Sequence, residues 1–280
     1  MNQAEFKDLQ KEFRRLSKTF DALAAPQFSQ PEFLEELEKA LKKLPTPVAL
    51  SSAVTELKER VSHLLKSERA ARTERFSRIE AEFIRSLRGQ NMALREYDSS
   101  WRIGPLEMEI QRAQARVRFS YNQQPMTGWT PVKEAQDLEK LQKRALASLD
   151  RYAIDPKELV GLCFAAHAHL TRRRSDLSLV DESGLVPILD FLREFRIQLV
   201  RSEMAGAKPD KKLQSAEFPL WALLYNLDRY RDLGSGVPKE KRIGFQTGSQ
   251  REQATGRGVL LNGLRPDLDH QAYCFVIRAR

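Results

Sequence analysis

Hydrophobic residues near the start of the chain recur in steps of three and four: Phe6, Leu9, Phe13, Leu16, Phe20 and Leu23 fall on one side of a charged stretch. That spacing is the heptad signature of a helix laid against another helix. Ala25-Pro26 ends the pattern, and Ser29 with Glu32 restarts it in capping-box spacing. The second helix carries Phe33, Leu37, Leu41 and Leu44 and stops at Pro45-Thr46-Pro47. A third is predicted from Ser51 or Ser52 to Leu87. It presents Leu50, Val54, Leu57, Val61 and Leu64, crosses a hendecad-like stutter after Leu65, and resumes with Phe76, Ile79 and Phe83. Phe is too bulky to repeat as a knob in a thin two-stranded seam. The expectation is therefore a helical hairpin folded back within the chain, the first ribbon facing Phe76, Ile79 and Phe83, rather than a dimer.

At Trp101 the period changes to two. Leu106, Met108 and Ile110 alternate with Glu107, Glu109 and Gln111, and Val117, Phe119 and Tyr121 alternate with Arg116, Arg118 and Ser120. This predicts a β-hairpin whose acidic strand faces a basic one. The rival is a helix over 105–120, because Arg112 to Ala115 contains no Gly or Asn turn signal. Ile103-Gly104-Pro105 and the clean alternation favour the hairpin.

Beyond it the helical period returns. Thr130-Pro131 is expected to start a helix bearing Leu138, Leu141, Ala145, Leu149 and Tyr152, and Asp155-Pro156-Lys157-Glu158 to start another with an N-cap and an N1 proline. Leu159 to Leu170 is apolar nearly all round, so it belongs at a domain centre, covered by helices near Leu185–Met204 and Ala216–Leu233. The last forty or so residues are rich in Gly and Arg, with strands expected at Gly258–Leu261 and Tyr273–Ala279 and a mobile loop over Gly244–Gly258. Gly234-Ser235-Gly236 reads as a turn closing the preceding helix. The fold class expected is mainly α: a coiled-coil-like helical arm over 1–98, a small β-hairpin over 99–128, a helical domain over 129–238, and a basic Gly-rich loop with a terminal strand pair over 239–280.

Composition narrows the partners. The chain of 280 residues is 41% hydrophobic and 30% charged, enough for a core beneath a charged surface, and its formal charge of +9 favours acidic surfaces without demanding them. The two cysteines, Cys163 and Cys274, sit in apolar runs, which suits core thiols in a reducing compartment and a cytoplasmic location. No apolar stretch approaches the roughly 18 residues needed to span a bilayer, and no leader or lipid-anchor signal is read, so no membrane association is expected.

Chemical signatures are sparse. Phosphate-loop, dinucleotide, nucleophile-elbow and zinc patterns lack their minimum parts, so no cofactor, metal or catalytic residue is assigned. His167-Ala168-His169 would point two rings about 200° apart on a helix, which reads as structural histidine. Asp190 with Glu194 and Asp228 with Asp232 have helical spacing that could chelate a metal, but the arginines beside them suggest a solvated ion-pair face. Arg172, Arg173 and Arg174 suit a helix C-terminus. With Lys239, Lys241, Arg242, Arg251 and Arg257 they form the candidate nucleic-acid contacts. The functional expectation is a non-catalytic adaptor or accessory subunit docking a protein partner through the arm. A nucleic-acid-binding component is the alternative, and a carboxylate-metal enzyme the third reading.

Overall fold

A computed structural model of the chain describes residues 51–176, 185–206 and 218–278 except 266 and 268, together with residues 35, 38 and 39. Two compact units divide it: residues 1–78 with 112–115, and residues 79–111 with 116–280. The ribbon from Phe6 to Leu23 lies outside the described residues.

In the first unit the described chain is mostly helix. Helix α1, Ser51–Gly89, runs for 39 residues, and Leu65 and Phe76 are buried within this unit's portion of it. Residues 35, 38 and 39 are helical, and Arg69 pairs with Glu35 at 3.6 Å.

The second unit overturns the mainly α expectation. Its centre is a six-stranded antiparallel sheet, of which the expected hairpin is only the middle. Strands β1 (Leu94–Tyr97), β2 (Ser100–Ile103), β3 (Leu106–Gln111) and β4 (Arg116–Tyr121) form a meander, and the short β5 (Gln124–Pro125) and β6 (Thr130–Pro131) both pair with β4. Glu109 stands opposite Arg118 in the register and the pair closes at 2.6 Å, as alternating charge on neighbouring strands requires. The β3–β4 connection is a 3-10 turn ending at Ala115 with φ 49°, an alanine where sequence rules look for Gly or Asn. Asn122 and Gln123, both at positive φ, make the tight β4–β5 turn.

Period two sorts the sheet's residues. Trp101, Ile103, Leu106, Met108, Val117 and Phe119 are all buried on one face. The last part of α1 lies on it: Phe83, Ile84 and Leu87 are buried, and Trp101 Nε1 donates to Glu80 at 2.7 Å. Helix α2 (Ala135–Arg151) joins that layer, since Ser86 donates to Glu139 at 3.1 Å. The helix does not begin at Thr130-Pro131 as expected, because those residues are strand β6. It starts after Glu134, in a capping box with Asp137.

The rest of the unit stacks helices on small sheets. Helix α3 (Pro156–Asp176) begins at the predicted N1 proline, with Asp155 Oδ1 accepting from the Lys157 amide at 2.9 Å. It packs on α4 (Ile188–Gly206) and on α5 (Leu220–Leu233). Strand β7 (Val186–Pro187) leads into α4, and β8 (Ile243–Gln246), helix α6 (Gln250–Ala254), β9 (Val259–Leu261), β10 (Gln271–Tyr273) and β11 (Phe275–Arg278) follow α5. The expected terminal pair is two separate pairings: β10 with β9, and β11 between β7 and β8. The loop expected over Gly244–Gly258 is instead built from β8 and α6. Phe245 sits edge-on between Tyr230 and Tyr273, and Ser249 caps α6 through Glu252, whose carboxyl those Ser249 hydrogen bonds hold below its usual range.

Candidate functional site

A densely bonded buried group is Asp228 on α5, only 3% exposed. Its carboxylate accepts from Tyr121 Oη at 2.9 Å and Asn122 Nδ2 at 2.7 Å. It also accepts from the backbone amides of Asn262 at 2.7 Å and Gly263 at 2.9 Å, and from Arg231 Nη1 at 3.1 Å. A buried carboxylate is tolerated only when its lone pairs are met, and here five donors from three segments meet them. Burial, reinforced by the neighbouring carboxylate, pushes the Tyr121 hydroxyl well above the ordinary tyrosine range, so it stays a neutral donor.

Asn262 is the second pivot. Its backbone φ of 97° lies well outside the left-handed helical well. The Arg102 guanidinium donates to its carbonyl, Arg231 Nη1 to its Oδ1 at 2.6 Å, and its own Nδ2 donates to the Asp269 carbonyl at 2.9 Å. With its amide on Asp228, every polar group of Asn262 is engaged. Gly263 follows because nothing larger fits: a Cβ there would lie 2.4 Å from Cζ and Oη of Tyr121.

This segment also contacts the polar face of the sheet. Arg95, Arg102, Glu107 and Ser120 are consecutive partners across β1 to β4. Arg95 pairs with Asp269 at 2.9 Å, and His270 Nε2 lies 2.8 Å from Glu107 Oε1 but off the hydrogen-bond direction. Arg102, 1% exposed, is the largest fully buried side chain described.

Two adjoining clefts lie along α5. One, of about 260 Å³, is lined by Leu159, Tyr225, Arg229 and Leu233; the other, of about 220 Å³, by Arg231, Asn262, Arg265 and Gln271. Asp232 and Leu264 line both. Burial raises the Tyr225 hydroxyl above its usual range, against the lowering pull of Arg229.

The residues singled out from sequence are not brought together. Phe76, Ile79 and Phe83 are buried, while the Phe6 to Leu23 ribbon expected to face them is outside the described residues. Lys239, Lys241, Arg251 and Arg257 are exposed, and Arg242 is half-buried and donates to the Val237 carbonyl at 3.0 Å. Arg172 is exposed, and the side chains of Arg173 and Arg174 are outside the described set. Of each acidic pair, only one member lies on the solvated ion-pair face expected, Asp190 and Asp232, and the other is buried. Glu194 is buried, accepts from Gln198 at 2.6 Å and lies 3.1 Å from His169 Nδ1, while Asp190 pairs with Arg193 at 3.5 Å. Asp228 is buried as described, and Asp232 alone of that pair is open, 3.9 Å from Arg265.

Among the described residues no group of three or more His, Cys, Asp and Glu could hold a metal, and no helix is long and apolar enough to cross a membrane. Both cysteines are free and buried, and burial pushes the Cys163 thiol up. Compared with known protein families, with curated proteins and with solved structures, the chain matches none.

Proposed function

We propose that the protein is a non-catalytic adaptor or accessory subunit in a reducing compartment, docking a protein partner through its N-terminal heptad-bearing segment. The observation that carries this reading is the heptad spacing of Phe6, Leu9, Phe13, Leu16, Phe20 and Leu23. Asp228, one of the carboxylates whose spacing could suit a metal, is taken up by five donors of its own chain. The C-terminal unit then acts as a folded body, and the arm that the repeated Phe and Leu of residues 6–23 build supplies the docking surface.

The test is made in the full chain. Phe6, Phe13 and Phe20 are replaced together by Glu, and partners are captured from native cells by crosslinking with and without nuclease. Loss of a nuclease-resistant partner, with the C-terminal unit still melting at its original temperature, is expected. Retention of every partner by the triple variant refutes the reading. Truncation is the poorer test, because residues 79–89 belong to the C-terminal unit and bury Phe83, Ile84 and Leu87.

A nucleic-acid-binding role is the second reading. Its support is the exposure of Lys239, Lys241, Arg251 and Arg257. It requires binding that weakens steeply with salt and a shallower slope once those four are neutralised. No binding at low salt removes it.

A further inference from the structure

The adjoining clefts along α5 combine features that the internal bonding of Asp228 does not use up. The first has an apolar lining in Leu159, Leu233 and Leu264, with the half-buried ring of Tyr225. The second is polar. At about 260 and 220 Å³ each is smaller than the roughly 300–1,000 Å³ of a pocket for a drug-sized ligand, so each takes one fragment and the two together suit one bipartite molecule.

Charge decides the polar fragment. Three arginines and two aspartates line the clefts. Arg231 and Asp228 neutralise one another, and Arg231 is further spent on Asn262 and on Tyr273 Oη at 2.7 Å. Among the lining side chains Arg229 and Arg265 remain against Asp232, an excess of one positive charge that the Asp150 carboxylate, acting on Tyr225 from outside the lining, offsets in part. Arg265 is 61% exposed and its only described ion pair, to Asp232, is long at 3.9 Å. Arg229 is steered by Nη1, which donates to the Ile154 carbonyl at 2.6 Å and sets the guanidinium 5.7 Å from the Tyr225 ring centre. Gln271 uses its Oε1 to accept from Tyr273 at 2.7 Å, which leaves its amide nitrogen as a donor beside Arg265. The lining also includes Asn262, whose φ of 97° is maintained by four surrounding bonds, the over-determined kind of strain that clusters at binding sites.

We infer that these clefts form a binding site for a small amphipathic carboxylate, its apolar body against Leu159, Tyr225 and Leu233 and its carboxylate toward Arg265 and Arg229. Guanidinium–carboxylate pairing supplies the orientation and the apolar lining the affinity. The site lies in the C-terminal unit and owes nothing to the N-terminal stripe, so it stands or falls independently of the adaptor reading.

The experiment titrates the full-length protein by calorimetry with N-acetyl-L-leucine, with its uncharged amide, and with inorganic phosphate. Saturable binding of the carboxylate in the millimolar range or tighter is expected, with the amide and phosphate each weaker by about tenfold or more. Arg265→Gln, at an exposed position, should weaken the carboxylate by about tenfold and leave the amide unchanged, because it removes only the charged partner. Leu264→Arg, which intrudes on both clefts, should abolish binding, and Arg257→Gln should leave it as it was. Absence of saturation by N-acetyl-L-leucine overturns the inference. So does equal affinity for the amide or phosphate, or an Arg265→Gln protein that binds the carboxylate as well as the original.

Discussion

Replacing Asp228 with alanine removes the common acceptor of Tyr121, Asn122, Asn262, Gly263 and Arg231 in a single step. Each buried donor left unpaired costs about 1–3 kcal/mol. The five penalties do not simply add, because Arg231 keeps Asn262 Oδ1 and Tyr273, and Asp228 lines a cleft from which water can re-enter. Losing one partner of a buried charged pair costs about 3–5 kcal/mol, and the deep amides of Asn262 and Gly263 place Asp228→Ala in that range. Set against a typical total of about 5–15 kcal/mol, the loss is large. Urea denaturation followed by tryptophan fluorescence is the suitable assay. The three tryptophans, Trp101, Trp129 and Trp221, all belong to the C-terminal unit, so the signal is not blurred by the other one. With a slope of about 2–3 kcal/mol per molar urea, the midpoint should fall by about 1–2.5 M. A fall of less than about 0.3 M at unchanged slope would mean that the carboxylate ties nothing together, and the account of this cluster would be wrong.

Two further outcomes test neighbouring parts of the same packing. Gly263→Ala drives a Cβ to 2.4 Å from the Tyr121 ring and hydroxyl, so it should cost about 1–3 kcal/mol and lower the melting temperature; an unchanged melting curve would show that the ring yields freely. At alkaline pH the buried tyrosines set the limit. Burial, the dominant cause, lifts Tyr230 from 10.0 to about 12, although the Ile243 amide that donates to its hydroxyl opposes the rise, and it lifts Tyr121 well above the usual range. Because the folded state favours the neutral phenol, the stabilisation from Tyr230 is complete below pH 10.0 and is lost as pH rises toward about 12, and that from Tyr121 likewise persists above the ordinary range. Phenolate absorbance from Tyr121 and Tyr230 should therefore appear only above the ordinary tyrosine range and coincide with loss of near-ultraviolet circular dichroism. All six tyrosines titrating together at the ordinary value, with the fold intact, would contradict it.

What could be read from sequence follows from how far apart the cooperating residues stand. The alternation from Leu106 to Tyr121 is local and two strands long, and the register of β3 on β4 is the one that alternation implies. Strands β1 and β2 have four residues each, too few to establish a period, and β2 carries Arg102, which composition rules put at the surface. Arg102 is buried because the Asn262 carbonyl receives it, and that acceptor lies 160 residues away in the chain. Without those two strands the sheet reads as an isolated hairpin and the protein as mainly helical.

Asp228 follows the same logic. Viewed within its helix it sits four residues before Asp232 and three before Arg231, which suggests an exposed ion pair, and Asp232 does behave that way. Its decisive partners stand 107, 106, 34 and 35 residues away. A helical charge pattern therefore cannot separate a solvated carboxylate from one that anchors a sheet and a loop. The local clue was on the other side: Asn262-Gly263 after an apolar run marks a backbone that must turn sharply. The structure gives that turn its reason, because two consecutive amides converge on Asp228 only with Asn262 at φ 97° and with no side chain on residue 263. The turn and the buried acid are thus one device. It holds the segment bearing Arg265 and Gln271 beside α5, and so forms one wall of the polar cleft.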